Sequence, residues 1–265
     1  MKLTTRFSLL AMMAAGFLMP ACLQAETAFA LNGRNMLIRI DTNTPGFTDD
    51  SKPIRGLQPG ESILGIDFRP ANGMLYGLGS QSRLYVIDTA TGIATAVGGA
   101  PFTTALEGSE FGFDFNPAVD RIRVVSNTGQ NLRLHPDTGA VAAVDGRLNS
   151  ETMAEFKIVG AAYTNSVAGA TTTVLYGIDA EQRTLVMQAP PNDGKLNRVG
   201  MMNIDMSEVA GFDISPRSGL AFVAARVRGS AMAALYEVNL NTGATMQLGV
   251  FDRLDQIGGL AIPTR

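Results

Sequence analysis

The chain of 265 residues has no tryptophan, one histidine and one cysteine. Each shortage removes a class of chemistry. A lone cysteine, Cys22, closes no disulfide within the chain, and it lies in an apolar leader. No other residue can supply a thiolate nucleophile or a cysteine-based metal site. His135 alone cannot build a multi-histidine metal centre, and it is the single candidate for imidazole acid–base chemistry. Net charge is also small: 21 Lys and Arg stand against 24 Asp and Glu, a net of −3. That balance lacks the basic stripe of a nucleic-acid binder, so no nucleic-acid partner is expected. Apart from the N-terminus, no apolar run approaches the roughly 18 residues of a spanning helix, so no transmembrane segment is expected in the mature chain.

The exception at the N-terminus reads as a targeting signal. Lys2 and Arg6 flank the start of an apolar run from Phe7 to Met19, which Pro20 ends. A positive segment followed by a short apolar one is the pattern of a secretory leader. Leu23-Gln24-Ala25 offers a cleavage site before Glu26, and Ala28-Phe29-Ala30 offers a second. Residues 1–25 are therefore read as a cleaved signal peptide and 26–265 as one exported domain, periplasmic or extracellular. A lipid anchor on Cys22 is the alternative, although Pro20 and Ala21 suit a lipobox poorly. Loss of Lys2 and Arg6 takes the net charge from −3 to −5. About 240 residues can bury a sizeable core. Without disulfides, packing and topology must hold the exported chain together.

What the sequence does contain is a repeat. Gly65, Gly112, Gly160, Gly211 and Gly259 are spaced by 47, 48, 51 and 48 residues. They open similar stretches: Gly65-Ile66-Asp67-Phe68-Arg69-Pro70, Gly112-Phe113-Asp114-Phe115-Asn116-Pro117 and Gly211-Phe212-Asp213-Ile214-Ser215-Pro216. Three more short β signals follow each start. In the first repeat they are Met74 to Leu78, Leu84 to Asp88 and Ala94 to Val97. Pro70-Ala71-Asn72-Gly73 supplies turn chemistry between the first two strands. Asp88-Thr89-Ala90-Thr91-Gly92 does so between the last two, with Asp137-Thr138-Gly139 and Asn241-Thr242-Gly243 at the same place. Four antiparallel strands in each repeat of this length indicate an all-β fold, a five-bladed β-propeller. The last repeat holds one strand, near Gly259 to Ile262. The N-terminal region holds three, at Thr27 to Leu31, Met36 to Asp41 and Pro53 to Leu57. The fifth blade is thus expected to close from both termini. A β-sandwich is the structural alternative, but it does not call for a five-fold period.

Several of these stretches also resemble a known family. Gly65 to Pro70, Phe111 to Arg123, Gln130 to Leu134, Ala161 to Asn165 and Pro190 to Gly194 are similar to DUF4394, a bacterial domain of unknown function. The resemblance spans nearly the whole mature chain. It implies an exported propeller-like protein and brings no catalytic residues with it.

The candidate sites come from the repeat itself. Asp67, Asp114 and Asp213 share one position in the inner strands of three blades, while Ala162 and Ala261 hold it in the other two. Three carboxylates converging on the axis could hold a cation such as Ca²⁺, which takes six to eight oxygens. Asn116, Thr164 and Ser215 lie two residues further along and are candidate channel-lining residues on the same face. The alternative is that each Asp bonds backbone groups of a neighbouring blade and sets the repeat. The crossovers between blades carry acids (Glu61, Glu107, Glu151, Asp205, Asp252), which would form an acidic rim or ordinary solvated loops. Met201, Met202 and Met206 offer thioethers for Cu(I) or, as is commoner, core packing. Arg121, Arg123 and Arg133 could make a basic spot on the second repeat or pair with nearby acids. The expectation is a non-catalytic binding or scaffold module of the cell envelope, with an unknown protein or glycan partner. The rival is a metal-dependent hydrolase of the lactonase kind built on the Asp trio.

Overall fold

A computed structural model describes residues 25–48 and 50–264. The leader and Cys22 lie outside the described residues, and the readings made on them are taken up below only as proposals. The described chain forms twenty strands in five four-stranded antiparallel sheets. Blade 1 contains β4 (Ile63–Phe68), β5 (Leu75–Gly79), β6 (Arg83–Ile87) and β7 (Ala94–Val97). Blade 2 contains β8 (Phe111–Asn116), β9 (Arg121–Ser126), β10 (Asn131–Leu134) and β11 (Val141–Val144). Blade 3 contains β12 (Ile158–Tyr163), β13 (Leu175–Asp179), β14 (Thr184–Gln188) and β15 (Leu196–Met201). Blade 4 contains β16 (Met206–Ile214), β17 (Ala221–Val227), β18 (Ala234–Val238) and β19 (Thr245–Val250). Blade 5 joins the C-terminal β20 (Gly259–Ala261) to β1 (Thr27–Leu31), β2 (Met36–Asp41) and β3 (Ser51–Pro53), in that spatial order. The architecture is the five-bladed β-propeller, closed by one C-terminal and three N-terminal strands.

One strand differs from the sequence reading. The third N-terminal strand was expected at Pro53 to Leu57, and it occupies Ser51–Pro53. Beyond Pro53 the chain leaves its blade. Arg55 donates its N–H to Gly92 and accepts from Ala94, so it bridges to the outer part of blade 1. Residues 54–57 therefore serve as a connector between blades.

Turns and glycines set the geometry of each blade. In the recurrent turns that end in Thr-Gly, Gly92, Gly139 and Gly243 take positive φ, where a Cβ is unfavourable. The turn residue Asp88 accepts the N–H of Ala90 on its own carboxylate. The five repeat glycines have a different task. A Cβ on Gly65 would meet Phe113, one on Gly112 would meet Ala161, and one on Gly160 would meet Phe212. A Cβ on Gly211 would lie 2.5 Å from the Gly259 backbone, and one on Gly259 would lie 3.1 Å from Ile66. Each glycine lets its inner strand approach the next, once around the ring.

The core is divided among the blade interfaces. Leu78 and Leu84 meet Phe113 and Phe115 between blades 1 and 2. Val125 meets Ala161 and Tyr163 between blades 2 and 3. Ala162 and Ile178 meet Phe212 and Val223 between blades 3 and 4. Phe222 and Leu235 meet Ala28 and Leu260 between blades 4 and 5, and Leu31 and Ala261 meet Ile66 and Leu75 between blades 5 and 1. Each large side chain buried in this way contributes roughly 1.5–3 kcal/mol against solvent exposure.

Candidate functional site

The inner strands β4, β8 and β16 bring Asp67, Asp114 and Asp213 together on the axis. One carboxylate oxygen from each lies within 4.8 Å of the others, and all three residues are buried. Their hydrogen bonds follow a cyclic rule. The amide one residue after the Asp position, in the next blade, points at the preceding carboxylate. Phe115 N donates to Asp67 Oδ2 (2.7 Å), Tyr163 N to Asp114 Oδ1 (2.9 Å) and Ile262 N to Asp213 Oδ2 (2.6 Å). Two amides follow a blade that carries Ala at that position, and each turns to its own Asp instead. Phe68 N, after Ala261, donates to Asp67 Oδ1 (2.7 Å), and Ile214 N, after Ala162, donates to Asp213 Oδ1 (2.6 Å). Three carboxylates thereby satisfy five buried amides, one from every blade. Among the described residues, the sixth oxygen, Asp114 Oδ2, receives no hydrogen bond.

Burial dominates the electrostatics of this cluster, because a charged carboxylate loses its hydration there. Burial pushes Asp213 up to about 7, against the opposing amides of Ile262 and Ile214 and with added repulsion from Glu26. Burial, with the charge of Asp213, holds Asp67 well above the usual carboxylate range. Burial and the charges of Asp67 and Asp213 do the same to Asp114.

The axis is narrow at the repeat glycines, two residues before the trio on each inner strand. There a void of about 10 Å³ is lined by Gly65, Gly112, Gly160, Gly211 and Gly259 with their neighbours. Such a void holds at most one water. The expected channel-lining residues each bond a turn. Asn116 Oδ1 accepts Ala118 N, and Thr164 Oγ1 accepts Val174 N, so both close their own hairpins. Ser215 Oγ accepts Arg217 N and Ser218 N and donates to buried Glu26. Position +2 from the Asp therefore caps the first turn of each of these blades. Asn116 ends β8, and Thr164 and Ser215 lie just past β12 and β16, so all three sit where the inner strands turn.

Other candidates are also absorbed by packing. Glu61 is buried and accepts the Tyr85 hydroxyl, and burial with that bond pushes Tyr85 up to about 12. Glu107 pairs with Arg147, Glu151 with Lys195 and Asp205 with Arg228, so three acids of the expected rim are neutralised. Met202 and Met206 lie in the core between blades 3 and 4, while Met201 is exposed. His135 Nδ1 accepts Asp137 N in its own turn.

Two polar networks join neighbouring blades, and in the second Arg123 and Arg133 pair with a nearby acid, one of the two expectations for them. Arg69, just past β4, makes a paired contact with Asp120 and reaches Asp137 and Tyr76, clamping blade 1 to blade 2. Arg123 on β9 is fully buried and faces Arg133 directly across the sheet. Asp145 lies between the two, accepting from Arg123 Nη1 (2.6 Å) and Arg133 Nε (2.8 Å). Arg123 also donates to Asn131, to Tyr163 Oη and to Asn192 of blade 3. An Arg directly opposite an Arg is the sequence-level signal, since like charges in that register require an anion between them. These residues come from the stretches that carry the family resemblance. They hold blades together.

The family DUF4394, described as a domain of unknown function, matches residues 36–261. No curated protein matches the chain. Among solved structures, Kuenenia stuttgartiensis hydrazine synthase is similar at 11% identity and TM-score 0.45, over 78% of this chain and 53% of that one. Myxococcus xanthus glutaminyl cyclase is similar at 13% identity and TM-score 0.48, over 84% of this chain and 87% of that one. PorZ, a surface component of the type-IX secretion system of Porphyromonas gingivalis, is similar at 12% identity and TM-score 0.41. That match covers 84% of this chain and 26% of that one. The chain thus spans about half of the hydrazine synthase chain and a quarter of PorZ.

Proposed function

The chain belongs to the DUF4394 family, and from that premise and its geometry we propose an exported bacterial protein that binds a partner through one propeller face. It works as a binding or scaffold module of the cell envelope and carries out no reaction of its own. One observation carries this reading: the polar residues that could do chemistry are engaged between blades, while one face exposes apolar side chains. Met74, Ile93, Val119, Val167 and Val174 are all exposed. They sit in or beside turns that follow first or third strands, and those turns lie at one end of the ring. Met74 and Ile93 also flank a cleft of about 460 Å³ whose walls include Phe68, Leu75, Val86 and Ile87. Val144, Met201, Met246 and Val250 are exposed as well, but they stand on the outer strands of blades 2, 3 and 4. A contiguous apolar cleft suits apolar side chains of a protein partner better than it suits a glycan.

The test uses the mature protein immobilised on a support, with envelope extract passed over it. The expected result is saturable retention of a defined protein. A Met74→Glu/Ile93→Glu/Val119→Glu variant should lose that retention at unchanged melting temperature. Equal retention by the variant, or none by the wild type, would overturn the reading.

The rival reading, a metal-dependent hydrolase, is favoured by the 4.8 Å grouping of the trio. The narrow axis and the amides already on five of the six carboxylate oxygens weigh against it. Hydrolysis of lactone or phosphoester substrates that requires Ca²⁺ and is lost in Asp114→Ala would establish it instead.

A further inference from the structure

Asp67, Asp114 and Asp213 are alike in sequence and unlike in bonding. Asp67 and Asp213 each accept two amides, one on each oxygen, and amide donors stabilise a carboxylate anion. Asp114 accepts one amide, and it lies between the charges of the other two. Three buried carboxylates this close cannot all be ionised without strong repulsion, so they share protons as a unit. The bonding shows where a proton is best held. Asp114 Oδ2 has the vacant position and can turn a hydroxyl donor toward a neighbouring carboxylate.

We propose that the trio is a proton-operated clasp on ring closure, with Asp114 carrying the proton whose loss drives the inner strands of blades 1, 2 and 4 apart. This rests on the trio acting as a set of backbone acceptors rather than as metal ligands. The surrounding charges act in the same direction. Glu26, ahead of β1, repels Asp213 and is itself held by Ser215 Oγ, with Arg217 Nε at 3.8 Å. At the level of the trio, β12 and β20 contribute Ala162 and Ala261, which add no charge. Tyr163 presents its amide to Asp114, and its hydroxyl meets Arg123.

The sign of the pH dependence follows from the raised affinities. The folded ring keeps protons that carboxyls of the unfolded chain, near about 4, have released. The stabilisation is therefore complete in acid, below about 4, and is lost as pH rises through the folded values, about 7 for Asp213, with Asp67 and Asp114 also raised.

The experiment is urea unfolding of the mature protein with chelator present, from about pH 5 to about pH 9. The wild-type midpoint should fall continuously across that range. Asp114→Asn should remain folded with a flattened profile, because its amide keeps an acceptor for Tyr163 N and a permanent donor. Asp67→Asn should lower the midpoint at every pH, since its amide nitrogen would face the N–H of Phe68 or Phe115. A wild-type slope in Asp114→Asn overturns the proposal. If that variant does not fold, wild-type unfolding at about pH 6 in weak buffer decides instead. Net proton release supports the clasp, and no release or net uptake overturns it. A midpoint that Ca²⁺ or Mg²⁺ raises, with loss of the slope, also overturns it and makes the trio a cation site. None of these outcomes touches the apolar face, so the partner-binding reading stands or falls separately.

Discussion

Arg123 has four side-chain partners, in Asn131, Asp145, Tyr163 and Asn192, and is 2% exposed. Its removal leaves Asp145, itself 7% exposed, with Arg133 alone, and it empties the polar seam between blades 2 and 3. Breaking one partner of a buried ion pair costs about 3–5 kcal/mol. Arg123→Met should therefore lose about that much in urea unfolding. Arg133→Met, at a side chain 32% exposed, should lose about 1 kcal/mol or less. Equal losses would show that Arg123 is not the hub. At this scale, legibility depended on repetition. Asp67, Asp114 and Asp213 could be found because the same letter recurs at the same register. Arg123 could not be found that way, because its partners lie 8, 22, 40 and 69 residues away and recur in no other blade. Asn116, Thr164 and Ser215 share a register in the same way, and their turn bonds add a local role that recurrence alone does not give.

Strands follow from local signals, and their closure follows from distant ones. The extents of β1, β2 and β7 agree with the sequence reading to the residue, because alternating apolar residues are bounded by turn formers on both sides. β3 was misplaced because Pro53 and Ile54 look strand-like, whereas the backbone partners of Arg55 belong to blade 1. The short β20 carries more than its three residues suggest. It pairs with β1 through Phe29, Ala30 and Leu31, and just past its end Ile262 N reaches Asp213. A chain ending at Gln256 should therefore lose the fifth blade rather than a tail. Circular dichroism on heating should show a broad, non-cooperative transition in place of the wild-type one. A single sharp transition at the wild-type temperature would refute the closure as a source of stability.

The whole ring holds together without a disulfide in its described part, through apolar seams, polar clamps and the shared axis. β1 belongs to that ring, and this bears on processing. Ala30 is fully buried and pairs with Ile38 and Leu260, whereas Glu26 marks the edge of the fold with its carboxylate bonded to Ser215. Cleavage at Ala25 leaves the ring intact, and cleavage at Ala30 would cut through β1. On the export proposed above, the intact mass of the periplasmic or secreted protein should correspond to a chain starting at Glu26, and a start at Leu31 would contradict this. The axis carries a matter of parity. A carboxylate covers two amides, its own and the next, so a ring with an even number of blades could be served by half as many acids with no oxygen over. Five is odd, and three acids must then leave one oxygen without an amide. The loose end at Asp114 is thus an arithmetic result of the blade number. Deleting blade 2 would leave Asp and Ala alternating around the axis, with two acids covering four amides and no oxygen over.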